Sequence, residues 1–434
     1  MARIYPSLGS LQNQVNSPNY GILNAPILHL PLQNNLNPVA GVGTIEFIRA
    51  SEGSYINRYG LISTANIDEP RFEKNGLLIE SRATNSILWS ENFGKTDWVK
   101  TNATILAANG NLDPVSPTNV KTAWALQDNS VSSTHLVYQE ITLPVPERGT
   151  THTASVFLAK GTAEFAKVIL RSGNSIYSYS VIVDLNTGST FEETSTDATG
   201  TVITNTNISV TKILNGWYRV ALTAKFPDTI PTLGLEVRMV SQVGDSYTDT
   251  YNNIVLSHFY IWGGQIEQNF FATSYIVTDN TTSTRSGDTV LMRMGTTTIN
   301  FPTTQNTYVM DFDILGTRHD HFRDVFSLGG FQYNIMRVDG YGNHIAFYDA
   351  SGISDNTPLE ANFLHRAAVR YNDGRYSLFR NGFEVASKTA NPHTIGTPSG
   401  IIYIGNSNDN ILNGHITNFR IYDTALTNDE IRII

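Results

Sequence analysis

"SHFYIWGGQIEQNFFATSYIVTDNTTSTRSGD", residues 257–288, starts as a dense apolar run around Trp262 and ends in Thr, Ser, Asn and Asp. Taken with the residues just before it, the run is apolar in both alternate sets, with Ile254, Leu256, Tyr260 and Trp262 in one and Val255, Phe259 and Ile261 in the other. Successive side chains of a strand point to opposite faces, so this reads as a late central strand covered on both sides. The polar tail after Tyr275 lacks the apolar area that would offset the entropy of ordering it. It therefore reads as a linker, with a domain boundary near residue 285.

Outward from this stretch, short alternating segments bounded by Gly, Asn, Asp and Pro recur, and helical periodicity is almost absent. That pattern predicts an all-β chain. Residues 86–285 hold the longest series, including "HLVYQEITL", "TASVFLA", "FAKVILRS", "YSVIVDL", "GWYRVALTAKF" and "LGLEVRMVS". So many strands at this spacing predict a two-sheet jelly roll. In "TASVFLA", Ala154, Val156 and Leu158 share one face. Trp217 and Trp262 lie in strand runs and read as core, because large aromatics dominate core energetics.

Residues 1–26, with Pro6, Pro18 and Pro26 and no sustained pattern, read as an extended N-terminal arm. Residues 27–85 read as a small β-rich adaptor with little core of its own. Residues 286–434 read as a second β-sandwich. Within it "RAAVRYNDGRYSLFRNGFEVASK", residues 366–388, predicts a three-stranded meander, since Asn381-Gly382 tolerates the positive φ of a tight hairpin turn. Thr427 with Glu430 three residues on predicts a capping box and one closing helical turn.

At 434 residues the chain exceeds one ordinary core. Charged residues are 15% and the net charge is −9, with no cluster of Lys and Arg to neutralise a phosphate backbone, so nucleic acid is excluded as a partner. The absence of cysteine excludes disulfides and thiolate zinc sites. "MARIYPSLGSLQNQ" lacks the apolar core of a secretory signal, and no run reaches the roughly 20 apolar residues of a spanning helix. The expectation is a soluble protein without membrane insertion, not exported by the ordinary route.

Candidate chemistry is sparse. In "VMDFDILG" Asp311 and Asp313 share a strand face, and two carboxylates flanking a glycosidic bond could hydrolyse it. A pair of solvated strand carboxylates is the reading preferred here. "RHDHFRD" places His319, Asp320, His321 and Asp324 close together, but without a third ligand at a recognisable spacing it reads as a polar loop. No cofactor is called for. Calcium is the one cation the loops could take, through Asp349, Asp355 and Asp409 in "YDASGISDN" and "NSNDN". For sugar recognition, Tyr333, Tyr341 and Tyr348 lie near turns of the last domain, where an aromatic face would be exposed.

Two resemblances add to this. The stretch "HRAAVRYNDGRYSLFRNGFEVASK" with "IIYIGNSNDNILNGHITNFRIYDTALTNDEI" resembles the laminin G-like, concanavalin-like lectin and glucanase superfamily. Asn381, Gly382, Gly405, Gly414, Ile416, Arg420, Tyr422, Leu426, Glu430 and Ile431 carry it. The family's Trp before the strand of His365 is replaced by "ANFLH", and the glucanase pattern fails at Leu315, where a third acid would stand. Most of residues 85–288, through "TNSILWSENFGKTDWVK", "VDLNTGS", "NGWYRVALT" and "YIWGGQIEQNFFATSYIVT", is similar to carbohydrate-binding-module-like jelly rolls of bacteriophage tail and other virion appendage proteins.

These resemblances imply a non-enzymatic phage virion protein, a tail fibre, head fibre or capsid decoration. The N-terminal region would attach to other virion proteins while the sandwiches face outward to bind host-surface polysaccharide. They imply assembly in the host cytoplasm and a homo-oligomer, a trimer first. The alternatives are a purely architectural capsid or tail cement protein and a polysaccharide depolymerase.

Overall fold

The computed structural model describes residues 24–434 apart from 42, 108–113, 130–131, 174, 198–202, 245, 251–255, 294–303, 318–320, 329–332, 341, 350–351, 390–400 and 408–409. Its regular elements are strands, with short 3-10 turns and one closing helix, Asn428–Ile433. That helix starts at the expected capping box, where Thr427 and Glu430 each satisfy the other's backbone N–H.

The first sandwich is a jelly roll of two sheets. The six-stranded sheet runs Thr204–Lys212, Trp217–Lys225, Thr151–Ala159, His258–Glu267, Trp124–Asp128, Ala103–Ala107. The opposing sheet is built around Tyr177–Asp184, Phe165–Ser172, Thr232–Val243 and Leu136–Thr142. Val156, Leu158, Val168, Leu222, Leu235, Phe259 and Ile261 fill the space between them. The six-stranded sheet is also covered behind. Tyr260 and Trp262 enter a second cluster there with Phe157, Trp217, Tyr275 and Ile62. This is why Tyr260 and Trp262 on one side and Phe259 and Ile261 on the other are all apolar, whereas Leu256 is exposed ahead of the strand and Ile254 and Val255 lie outside the described residues. The two indoles still find acceptors, Trp217 Nε1 donating to the Val115 carbonyl at 2.8 Å and Trp262 Nε1 to Thr122 Oγ1 at 3.1 Å.

The second sandwich contains the meander. His365–Asn372, Arg375–Arg380 and Phe383–Thr389 are joined by turns with positive φ at Asp373 and Gly374 and at Asn381 and Gly382, the paired signs a type I′ turn requires. This sheet continues through Gln305–Phe312 and Gly414–Tyr422. The facing sheet carries Thr289–Arg293, Ile401–Ile404, Arg323–Leu328, Tyr333–Val338 and Ile345–Asp349.

Two expectations need correcting. Residues 27–85 are not a separate adaptor, because four of their strands join the two sheets of the second sandwich. Leu28 pairs opposite Ile421 and Ile79 opposite Gly414 in one sheet, and Phe47 opposite Val290 in the other. Leu28, Leu30, Phe47, Leu77 and Ile79 all lie in that sandwich's core. A segment too poor in apolar residues to build a core has instead contributed its few to another. The tail after Tyr275 is not a solvated linker either: Thr278, Arg285 and Asp288 are buried. Polar residues can be buried when every group finds a partner.

The partners form one charged junction. Asp288 Oδ2 receives Arg71 Nη2 at 2.5 Å, and Asp288 Oδ1 stands 3.5 Å from Arg49 Nη1. Glu80 Oε2 receives Arg71 Nη1 at 2.7 Å and lies 3.4 Å from Arg285 Nη2. Ser274 adds its backbone N–H and hydroxyl to Glu80, each at 2.7 Å. Three guanidiniums thus share two carboxylates, and the surplus cation is spread over carbonyls of Ser51, Ala65, Asn66, Ser81 and Ser286. Beside it, His415 of the second sandwich donates through Nδ1 to Asp313 at 2.9 Å and reaches Glu73 Oε2 from Nε2 at 3.1 Å.

Removing one partner of such a cluster leaves an uncompensated buried charge. Arg71→Met is expected to lower the unfolding free energy by roughly 3–5 kcal/mol, read from urea unfolding of the full chain; a change below about 1 kcal/mol would show the cluster to be dispensable.

The junction also sets a pH window. Burial opposes the Glu80 carboxylate, but Arg285, Arg71 and Ser274 outweigh it and hold its pKa at about 2, below its ordinary 4.5. Its stabilising effect is therefore complete above 4.5 and lost as pH falls through 2. Burial likewise opposes His415 protonation, yet Asp313 and Glu73 raise its pKa from 6.5 to about 10. That contribution is complete below pH 6.5 and lost as pH rises through 10. The denaturation midpoint should decline across pH 6.5–10 in the natural chain and decline less in His415→Gln; parallel slopes would remove His415 from the account.

Candidate functional site

The end of the second sandwich singled out by its tyrosines carries a compact polar and aromatic cluster. In the strand Tyr333–Val338, Met336 and Val338 enter the core, so the period of two turns Arg337 outward. Its guanidinium carbon sits 4.7 Å from the Phe322 ring centre and 5.0 Å from that of Tyr348. The two rings stand 6.4 Å apart at 70°. Arg337 Nε is anchored on Asp324 Oδ1 at 2.9 Å, and Asp324 is fully buried. The Tyr348 hydroxyl donates to Asp339 Oδ2 at 3.5 Å, and His344 Nε2 lies 3.8 Å from the same oxygen. Burial first, and then Asp339, push the Tyr348 phenol above its ordinary pKa, so it remains a neutral donor. Arg337 takes one face of each ring, leaving half-buried aromatic edges beside hydrogen-bonding groups.

The predicted residues are dispersed. Tyr348 belongs to the cluster. Tyr333 and Asp349 are backbone partners in the register of Tyr333–Val338 and Ile345–Asp349, and their side chains lie outside what the structure describes. Tyr341 and Asp409 lie outside the described residues, as do His319 and Asp320. Asp355, expected in a loop that could hold calcium, is instead buried and committed. Its Oδ1 accepts the Thr357 backbone N–H at 3.0 Å and its Oδ2 pairs with Arg380 at 3.0 Å. Asp324 is spent on Arg337 in the same way. Among the described residues no three His, Asp or Glu side chains gather in a metal-holding group.

Asp311 and Asp313 are not the solvated pair expected of them. Both are buried. Asp311 accepts two bonds from Arg366, at 2.7 and 2.9 Å, and one from Asn418 at 3.0 Å. Asp313 takes His415 together with the Asn75 amide at 2.7 Å. Their oxygens are engaged inside the sheet, whereas glycoside hydrolysis needs carboxylates flanking an open cleft.

Sequence reasoning missed Phe322 and Arg337. A signal was present in "NIMRV", where a lone cation between two core positions must point outward. What it stacks on could not be read, since Phe322 and Tyr348 come from other strands and loops.

Residues 302–432 match the concanavalin A-like lectin/glucanases superfamily, in its laminin G form. Comparison with curated proteins finds no match. Among solved structures the chain is similar to the ligand-binding domain of botulinum neurotoxin serotype D in complex with N-acetylneuraminic acid, at 15% identity over 34% of this chain and 39% of that one, TM-score 0.28. It is also similar to Domain 4 of AbnA, an extracellular arabinanase from Geobacillus stearothermophilus in complex with arabinotriose, at 15% identity over 37% and 80%, TM-score 0.28. A third is the binding domain of Paraclostridial Mosquitocidal Protein 1, at 20% identity over 33% and 40%, TM-score 0.28. The chain spans about 40% of the length of the toxin domains it matches. The meander, the strand Gly414–Tyr422 and the capped closing helix fall within the matched residues, so the last third of this chain has a concanavalin-like fold.

Proposed function

We propose that this chain is a bacteriophage virion structural protein that displays its two β-sandwiches outward and binds host-surface glycan without catalysing a reaction. The observation that carries the binding part is the lectin-type domain at residues 302–432 with half-buried aromatic and guanidinium groups at one end. The virion part is supported by the resemblance of residues 85–288 to appendage jelly rolls. Such proteins work in repeated copies. Individually weak sites then act together, because each contact after the first is effectively intramolecular.

Residues 27–85 supply strands to the second sandwich, and attachment of a trimer to other virion proteins through the N-terminal region belongs to this reading. The depolymerase reading finds no support in Asp311 and Asp313, whose oxygens are engaged internally. The cement reading differs from the proposed one only in the absence of a glycan ligand.

A glycan array probed with the full chain is expected to give discrete signals, and Tyr348→Ala is expected to weaken them about tenfold, as truncation of an aromatic anchor does. A silent array together with stoichiometric binding to virus particles would support the cement reading. Reducing ends released from host polysaccharide would establish a depolymerase.

A further inference from the structure

A polar groove lies on the jelly roll, outside the lectin-type residues 302–432. Three neighbouring strands of the six-stranded sheet, Trp217–Lys225, Thr151–Ala159 and His258–Glu267, finish or start at one edge, where Lys225 pairs opposite Thr151 and Glu267 opposite Thr153. Ser81 and Arg82, between the strands Gly76–Ile79 and Ala83–Asn85, border that edge, and together they line a groove of ≈ 630 Å³. This is within the roughly 300–1,000 Å³ usual for small-ligand sites.

Its lining has a definite chemistry. Arg82 and Lys225 are exposed and have no ion-pair or hydrogen-bond partner among the described residues. No carboxylate is among the described residues lining the groove, although the chain as a whole has 38 acidic against 29 basic residues. Amides surround the cations. Gln268 donates through Nε2 to Thr150 Oγ1 at 3.1 Å, and Asn205 donates through Nδ2 to Thr151 Oγ1 at 2.9 Å. Both therefore keep a carbonyl oxygen for a ligand hydroxyl. Asn269 is almost fully buried. Its Oδ1 is fixed by the Phe270 N–H at 2.9 Å, and its amide nitrogen has no partner among the described residues. The half-buried Phe270 adds one aromatic wall.

We infer that this groove binds an anionic saccharide, its carboxylate or phosphodiester held between Arg82 and Lys225 and its hydroxyls by Gln268, Asn205 and Asn269. A guanidinium matches the two oxygens of a carboxylate or phosphate in a planar fork, and the amides match vicinal hydroxyls. The apolar face of a sugar ring fits against Phe270. This deepens the proposed glycan adhesion by naming a ligand class and a second site, and it rests on that reading.

Trigalacturonate, neutral galactotriose and a glycerol phosphate oligomer are titrated calorimetrically into the full chain, into R82Q/K225Q and into Tyr348→Ala. Both groove cations are exposed and unpaired, so the double variant should fold as the natural chain does. At least one anionic probe is expected to bind about tenfold tighter than galactotriose, to weaken with added salt, to lose about tenfold in R82Q/K225Q and to be unaffected by Tyr348→Ala. Which anionic probe binds decides between carboxylate and phosphodiester. Equal binding by the double variant and the natural chain overturns the groove assignment but leaves adhesion standing. Binding of galactotriose alone does the same. Absence of binding by all three probes overturns the groove, and a silent glycan array beside it would remove the adhesion reading as well.

Discussion

Two carboxylates buried at the centre of the molecule, Glu80 and Asp288, determine how its parts are joined. Guanidiniums from separate stretches reach both: Arg49 and Arg71 from the leading segment, Arg285 from the end of the jelly-roll portion. Taking any of these groups out of water alone would cost several kcal/mol. The junction is therefore cooperative in a strict sense, since no stretch can bury its charge before the others arrive. Hydrophobic surfaces tolerate sliding, whereas a fully desolvated charge cluster accepts one arrangement, so the cluster fixes register between the sandwiches.

The apolar side of the same construction is the double coverage of the six-stranded sheet. Its inner face packs on the opposing sheet and its outer face on a cluster that includes Ile62 from the leading segment and Tyr275 from the tail. Tyr275 also shares a hydrogen bond with Ser90 at 2.7 Å, and its carbonyl accepts from Ser54 at 2.5 Å. The leading segment thus touches both sandwiches, packing behind one sheet and adding strands to the other domain. A chain poor in charge and lacking cysteine has obtained its joint from buried area and paired charge together.

This explains which parts could be read from the sequence. The meander at 366–388, the Asn381-Gly382 turn, the Thr427 cap and the two-faced strand around Trp262 depend on residues adjacent in the chain, and their patterns are local. The tail 278–288 was misread because its composition is that of a linker while its partners are remote. Arg71 and Asp288 are 217 positions apart, and Glu80 and Ser274 are 194 apart. Polar segments carry no periodic mark of burial, so only the distant partner reveals it. The same limit applied to Asp311, Asp313 and Asp355, each of which looked available until Arg366, His415 and Arg380 were placed beside it. Of the surface cluster, Tyr348 alone was legible, as an aromatic near a turn.

The difference between spent and unspent charge then separates structural from functional candidates in this molecule. Glu80, Asp288, Asp311, Asp313, Asp324 and Asp355 are each matched by a cation at hydrogen-bond distance. Arg82 and Lys225 stand in a groove among amides with no counterion among the described residues. In a chain of net charge −9, placing a carboxylate beside them would have been the simplest stabilising substitution. A surface pair of that kind is worth little, at most about 1 kcal/mol, so stability alone would leave such a groove open to either sign. Cations bordered by amides gain their value when an anion comes from outside, and a saccharide acid is the anion proposed for this groove.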